Sequence, residues 1–152
     1  MNCSVNENRT ETNTPELISF TWSQSHSNAN SCFSISFGEA ECDNPAGHYL
    51  NCDFLRDYKD DERVNCCDIP IDDEKWKTLE MLLNTIQLPA YSAPDPYLMD
   101  ATDSQIRIIR KENGSKVTEK YNGAYAHDFF VSITKLAIEI SEQKNDIENK
   151  NV

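Results

Sequence analysis

The stretch IPIDDEKWKTLEMLLNTI, from Ile69 to Ile86, contains the point at which the hydrophobic pattern of this chain changes its period. Asp72 is followed by two further acids, which is typical of an N-cap residue and the acidic first turn of a helix. Apolar residues then recur at helical spacing, at Trp76, Leu79, Leu82, Leu83 and Ile86. We therefore predict a helix that begins after Asp72 and ends near Gln87, because Pro89 cannot continue it.

Before this stretch the apolar residues alternate with polar ones, as in half-buried strands. Four such segments, 17–23, 31–37, 48–54 and 62–68, are predicted to form an antiparallel meander with one solvated face. The residues assigned to its buried face are Ile18, Phe20, Trp22, Phe33, Ile35, Phe37, Leu50, Cys52, Phe54, Val64 and Cys66.

After the helix, strand-like runs at 105–111 and 116–121 flank Asn113-Gly114, a pair that favours a tight hairpin turn. The inward residues of this hairpin are predicted to be Ile106, Ile108, Val117 and Tyr121. A second helix is predicted from 125 to 140, with an apolar stripe of Phe129, Ile133, Leu136, Ala137 and Ile140.

The order of these elements predicts an α+β fold, in which an antiparallel sheet of about five to six strands carries two helices on one face. We assign residues 17–140 to this single domain. Residues 1–16 are predicted to be a flexible leader, because they contain almost no apolar groups, and 141–152 a frayed polar tail.

Three short motifs lie within this pattern: W-x-x-L-x-x-L-L at Trp76 to Leu83, L-M-D-A-T-D-S-Q-I-R-I at Leu98 to Ile108, and Y-N-G at Tyr121 to Gly123. Together with the meander before them, they resemble a group of small uncharacterised bacterial proteins, some cytosolic and some lipoprotein-like. The resemblance covers 17–140. It implies no catalytic residues, and Pro89-Ala90-Tyr91 stands where the group is expected to have Lys-Trp.

The composition excludes several classes of protein. The 152 residues include 26 acids and 14 Lys and Arg, which gives a net charge of -12. Such an acidic chain is not expected to bind nucleic acid, and it has no run of about 18 apolar residues that could span a membrane. No signal peptide is recognisable. We expect a cytoplasmic protein, the alternative being an exported or lipid-anchored one whose signal lies outside this sequence.

The cysteines fit no metal-binding pattern. They stand at Cys3, Cys32, Cys42, Cys52, Cys66 and Cys67, without a C-x-x-C, so no zinc is expected. We expect mostly free, buried thiols, with one or more disulfides as the alternative. With only 4 glycines and no phosphate-binding or nucleotide-binding motif, no cofactor is expected either.

Acidic residues concentrate between Glu41 and Glu74, where eleven acids and three bases give a local charge of -8. The densest part is the segment from Asp57 to Glu62, named here the acidic segment. It is not a calcium loop, because Lys59 occupies a ligand position and no glycine follows. We assign an interaction surface to Asp57, Asp60, Asp61 and Glu62. The alternative is a solvated turn that protects the sheet edge.

The function predicted from this surface is non-catalytic binding, by an accessory protein whose partner is a basic protein. One alternative is an inhibitor or immunity-type protein directed against a basic partner. Another is a hydrolase that uses Cys67 or Cys42 with His48. His26 and His127 are interpreted as exposed residues without a role, and the cationic residues near the Asn-Gly turn as a solubilising edge.

Overall fold

The computed structural model describes residues 15–26, 32–57, 62–95, 102–124 and 126–150. Six strands form one antiparallel sheet in the spatial order β4-β3-β2-β1-β5-β6. Their bounds are β1 Glu16–Ser25, β2 Phe33–Gly38, β3 Tyr49–Asp57, β4 Glu62–Pro70, β5 Asp103–Glu112 and β6 Ser115–Asn122. β4 and β6 are therefore the two edges of the sheet. This architecture confirms the predicted α+β fold.

Two helices, α1 (Asp73–Asn84) and α2 (His127–Lys150), complete the fold. Asp72 caps α1 as predicted, since its side chain accepts a hydrogen bond from Lys75 N at 2.8 Å. α1 ends three residues before the predicted end. α2 continues ten residues beyond Ile140, because the polar sequence that follows contains no proline or glycine to stop it.

The core lies between one face of the sheet and the two helices, and the period-two pattern predicted most of it. Fully buried side chains include Phe20, Trp22, Ile35, Phe37, Leu50, Phe54, Ile106, Ile108, Leu79 and Ile133. The prediction for the start of β1 was wrong. A bulge between Leu17 and Ser19 buries Leu17 and leaves Ile18 half-buried. The prediction that Val117 faces inward was also wrong: it is 41% exposed, because it lies near the tip of the hairpin.

Asn113 and Gly114 both have positive φ angles, 53° and 82°, which confirms the predicted turn between β5 and β6. The outer side of β6 is partly covered by the segment that follows α1. Tyr91 N donates to Lys120 O at 3.1 Å, and Asn122 N donates to Pro89 O at 2.8 Å. This segment limits further pairing along β6. In the part of the chain that the structure describes, no helix is long and apolar enough to cross a membrane.

Gly123 directly follows the last residue of β6 and packs against the core at Trp22 and Ser104. Trp22 Nε1 donates to Ser104 Oγ at 2.9 Å inside the protein. A Cβ atom at Gly123 would stand 2.6 Å from Ser104 Oγ and would press on the Trp22 indole. The Y-N-G motif thus contains a position at which only glycine lets the chain pass over this hydrogen bond. The Trp22 indole also stacks on Phe129 of α2, with ring centroids 5.5 Å apart.

Candidate functional site

The acidic segment lies at one end of the β3–β4 pair. Asp57 is the last residue of β3 and is paired with Glu62, the first residue of β4. Glu62 is exposed. Asp60, Asp61 and the side chain of Asp57 lie outside what the structure describes, so the predicted surface is placed only through its two ends. Glu62 belongs to the edge strand β4, as the solvated-turn alternative also requires, and Asp57 belongs to its neighbour β3.

The opposite end of β4 holds a side chain that the sequence did not single out. Asp68 lies in a β-bulge, where β4 has two residues opposite one residue of β3. Its φ of 48° is in the left-handed region, which aspartate tolerates better than most residues. Its backbone N donates to Asn51 Oδ1 at 2.8 Å. This side-chain contact with β3 replaces a ladder bond that the bulge interrupts.

The Asp68 carboxylate organises the loop between β2 and β3, named here the clamp loop (Glu39 to His48). Oδ1 accepts from Glu41 N at 2.9 Å and from Asn51 Nδ2 at 3.1 Å. Oδ2 accepts from Cys42 N at 3.0 Å and from Asn44 Nδ2 at 2.7 Å. The hydrogen bond from Glu41 N contributes most to lowering the pKa of Asp68, which is about 2. The carboxylate therefore stays ionised and holds the loop at ordinary pH.

Two cysteines meet beside this carboxylate. The sulfurs of Cys42 and Cys67 and an Asp68 carboxylate oxygen all lie within 4.8 Å of one another. Three potential ligands this close could in principle hold a metal ion. However, each Asp68 oxygen already accepts two hydrogen bonds, which occupy its lone pairs. The geometry thus places two thiols beside a carboxylate that is engaged with the clamp loop.

A second cysteine pair lies on the other face of the same strands. Cys52 of β3 and Cys66 of β4 are directly opposite each other. Cys52 is 5% exposed, and Cys66 packs against the core. The hydrogen bond between the two thiols and the burial of Cys52 raise the pKa of Cys52 far above its usual value. Both residues lie on the apolar face, as predicted, while Cys67 points to the opposite face.

Four side chains of this region that could ligate zinc, those of Cys42, His48, Cys66 and Cys67, do not converge on one site. Cys66 faces the core with Cys52, and the His48 ring stacks on Trp76 with centroids 3.5 Å apart. Only Cys42 and Cys67 of that set come together. The four cysteine and histidine side chains thus belong to three separate environments.

The hydrolase alternative gains limited support. Cys42 and His48 do line one cleft of about 390 Å³ beside β1. However, the neighbour of Cys42 is Cys67, and the Cys67 pKa is raised by desolvation of its sulfur, by the hydrogen bond with Cys42 and by the charges of Asp68 and Glu41. A nucleophilic cysteine needs a lowered pKa. His48 is held against Trp76, and this contact does not direct it to a thiol.

The remaining histidines take no part in this region. His127 begins α2 and is exposed, as expected. His26 is half-buried rather than exposed, and its carbonyl oxygen accepts a 3.4 Å hydrogen bond from Cys32 Sγ. This contact between the end of β1 and the start of β2 gives Cys32 a local structural role.

The basic residues occupy the β5–β6 hairpin, on the side of the sheet opposite β4. Arg110 donates to Glu119 at 2.6 Å, and Tyr121 OH donates to the other oxygen of Glu119 at 2.6 Å. Although burial opposes the effect, these two hydrogen bonds lower the pKa of Glu119. The exposed cations of this hairpin are Arg107, Lys111, Lys116 and Lys120. Three strands, β3, β2 and β1, lie between this hairpin and the edge strand β4.

The sheet face away from the helices is polar. Rows of small hydroxyl side chains cross it, with Thr21 opposite Ser36 and Ser23 opposite Ser34. On β3 the row continues with Asp53, which forms a 2.9 Å ion pair with Arg63 of β4. The clamp loop covers the β3–β4 end of this face, because Asn51 is only 6% exposed there.

Comparisons of this chain with protein-family models, with curated proteins and with solved structures find no match.

Proposed function

We propose that this protein is a non-catalytic binding or accessory protein whose β4 edge docks with a basic protein. The docking surface, named here the acidic edge, includes the predicted residues Asp57, Asp60, Asp61 and Glu62. It continues along β4 to the exposed acids Glu41, Asp43, Asp72, Asp73 and Glu74.

The observation that carries this proposal is the separation of charge between the two edges of the sheet. β4 and its flanking residues supply acids, whereas β5 and β6 supply the exposed cations Arg107, Lys111, Lys116 and Lys120. β4 therefore lies at least four strand spacings from these cations, a distance of roughly 19 Å or more at about 4.8 Å per spacing. This distance exceeds the screening length of about 8 Å at physiological salt, so each edge presents its own field to a partner.

Arg63, the cation on β4 itself, does not neutralise the charge of the acidic edge. Arg63 is held by Asp53 at 2.9 Å and also donates to Cys32 O at 3.3 Å. Its charge is therefore already matched within the sheet. An acidic edge of this kind steers a basic partner toward β4 and accelerates association, and salt weakens the effect.

The test begins with affinity capture from the source cells at low and at high salt. Any basic protein captured only at low salt is purified, and its association rate is measured with the wild type and with a variant in which Asp57, Asp60 and Asp61 become Asn and Glu62 becomes Gln. We expect the variant to associate at least tenfold more slowly, with a weaker dependence on salt.

A matched control removes four charges elsewhere, through Glu16→Gln, Glu80→Gln, Glu112→Gln and Asp128→Asn. Both variants have the same net charge, so general electrostatic effects are equal. Equal slowing in both variants would mean that net charge, rather than the acidic edge, determines association. Capture that does not depend on salt would also contradict the proposal.

An inhibitor or immunity-type role is the special case in which the basic partner is an enzyme. The same acidic edge then has to cover the active site of that enzyme. Loss of the partner's activity at a one-to-one ratio, restored by salt, would distinguish this role from simple docking.

A further inference from the structure

We propose that this protein carries two disulfide bonds in its working state, Cys42–Cys67 and Cys52–Cys66, formed by successive residues of β4 on opposite faces of the sheet. The proposal does not depend on the proposed function. It rests on how β3, β4 and the clamp loop place four of the six cysteines.

The register of the sheet brings Cys52 and Cys66 together. Directly opposite residues on antiparallel strands have Cα atoms about 4.5 or 5.5 Å apart. A disulfide requires a Cα separation of about 4.4–6.8 Å, and the register places this pair within that range. The two thiols are already hydrogen-bonded to each other. Closing the bond would remove two weak donors from an apolar environment.

The clamp loop brings Cys42 to Cys67. Asp68 accepts a hydrogen bond from the backbone N of Cys42 at 3.0 Å, and Asp68 is the neighbour of Cys67 in the chain. The two sulfurs lie within 4.8 Å of each other, and a hydrogen bond links them. The hydrogen bonds of Asp68 thus hold the clamp loop in the position that sets the two thiols against each other.

The alternative pairings are excluded by the faces of the sheet. Cys66 points to the core and Cys67 to the open face, so a Cys42–Cys66 or Cys52–Cys67 bond would have to cross the sheet. Cys32 lies beside His26 and belongs to neither pair. Cys3 lies outside the described residues and is not part of the proposal.

Each bond would form by exchange with a disulfide donor, either a small-molecule disulfide or the disulfide of a dithiol oxidoreductase. One cysteine thiolate attacks the donor disulfide, which forms a mixed disulfide and releases one donor thiolate. The second cysteine thiolate then attacks the mixed disulfide and releases the other. The two protein thiols lose two protons and two electrons, and the donor is reduced to two thiols.

The two bonds would differ in accessibility. Cys42 and Cys67 are both exposed, so a reductant can reach their bond in the folded protein. Cys52 is buried and Cys66 is only partly exposed, so a reductant would reach their bond more slowly. Stable bonds of this kind require an oxidising compartment. The inference therefore favours the exported or lipid-anchored alternative over the cytoplasmic one.

The first experiment maps the bonds in the full chain after equilibration with oxidised and reduced glutathione. Unreacted thiols are alkylated, and the protein is digested with trypsin and chymotrypsin, which cleaves between Cys42 and Cys52. We expect the peptide that contains Cys66 and Cys67 to be joined to both the Cys42 and the Cys52 peptides. Alkylation of all four cysteines would overturn the proposal, as would protection that a metal chelator removes.

Because Cys66 and Cys67 are adjacent, double variants assign the pairs. Cys42→Ala with Cys67→Ala should retain one bond, and so should Cys52→Ala with Cys66→Ala. The crossed variant, Cys42→Ala with Cys66→Ala, leaves Cys52 and Cys67 on opposite faces, and both should be alkylated. A Cys52–Cys67 bond in the crossed variant would overturn the assignment. The wild-type map tests the proposal even where a variant does not fold.

Graded reduction of the wild type provides an independent readout. With tris(2-carboxyethyl)phosphine under native conditions, we expect Cys42 and Cys67 to be alkylated at least tenfold faster than Cys52 and Cys66. Equal rates for the two pairs would contradict the assignment of one bond to the surface and one to the core.

Discussion

Reduction of the two proposed disulfides should lower the stability of the protein by an amount that follows from the spacing of the cysteines. A disulfide stabilises a fold largely by restricting the unfolded chain, and the effect grows with the length of the closed loop. The segment from Cys52 to Cys66 contains 15 residues. This loop length corresponds to about 3 kcal/mol of stabilisation.

The second bond contributes less than its sequence separation alone indicates. Cys42 and Cys67 enclose the first loop, so with Cys52–Cys66 already closed the new ring contains only residues 42–52, 66 and 67. That ring again corresponds to about 3 kcal/mol, compared with about 3.5 kcal/mol for the full 26-residue loop. The two bonds together should add about 6 kcal/mol to the free energy of unfolding.

This effect is large compared with the total stability of a domain of this size, about 5–15 kcal/mol. At about 2–4 °C per kcal/mol, reduction should lower Tm by about 12–24 °C. The assay is thermal and urea unfolding of the oxidised wild type, the reduced wild type, and the two same-pair variants, one lacking Cys42 and Cys67 and the other Cys52 and Cys66. Each variant is measured with and without reductant.

Reducing conditions provide the internal control. Replacing buried Cys52 by alanine removes packing contacts whether or not a bond is present. The difference between the variant's effect in oxidising and in reducing conditions isolates the bond itself. If the fully oxidised and fully reduced wild type unfold within about 2 °C of each other, less than 1 kcal/mol separates them. The entropic reasoning would then be refuted for this fold.

Three other perturbations test single contacts. Asp68→Asn should release the clamp loop, because the NH2 group of the new side chain would face N–H donors whose hydrogen bonds a carboxylate oxygen now accepts. Amide hydrogen exchange at Glu41 and Cys42 measures the release of the loop. Folding lowers the Asp68 pKa from 3.8 to about 2. The stability that the ionised Asp68 carboxylate contributes is therefore complete above pH 3.8 and is lost as pH falls toward 2. Hydrogen exchange at the same two amides of the wild type should accelerate in that pH range. Gly123→Ala should cost about 1–3 kcal/mol by forcing the Trp22 indole from its site, measured by urea unfolding. Neutralising the acidic segment should change stability by less than about 0.5 kcal/mol per residue, and a larger loss would mean that its carboxylates pair within the sheet.

The fold could be predicted because its main signals are local. Alternation in strands and 3.6-residue spacing in helices depend only on neighbours in sequence. The Asp72 cap is local too, because it accepts a hydrogen bond from the backbone N of Lys75, three residues later. The error at Ile18 and Leu17 has a different origin. The bulge there depends on the pairing of β1 with β5, about ninety residues later in the chain, and nothing near Ile18 announces it.

The candidate site could be predicted only in part for the same reason. The sequence indicated that Cys66 and Cys67 face opposite sides of the sheet, and it placed Cys52 on the same side as Cys66. It gave no partner for Cys67, because Cys42 reaches it through a loop without a regular pattern. An aspartate inside a strand is uncommon, and Asp68 next to two cysteines was the available signal that this end of β4 is irregular.

The bulge at Asp68 makes the cluster possible. Cys66 and Ile69 both face the core, opposite Cys52 and Leu50, although three positions separate them along β4. Regular alternation would place residues three apart on opposite faces. The extra residue of the bulge therefore puts Cys67 and Asp68 together on the open side, where one supplies a sulfur and the other holds the loop that carries Cys42. Without the bulge, the Asp68 carboxylate would point into the core. The clamp loop would then lose its hydrogen-bond partner, and Cys67 would have no thiol within reach.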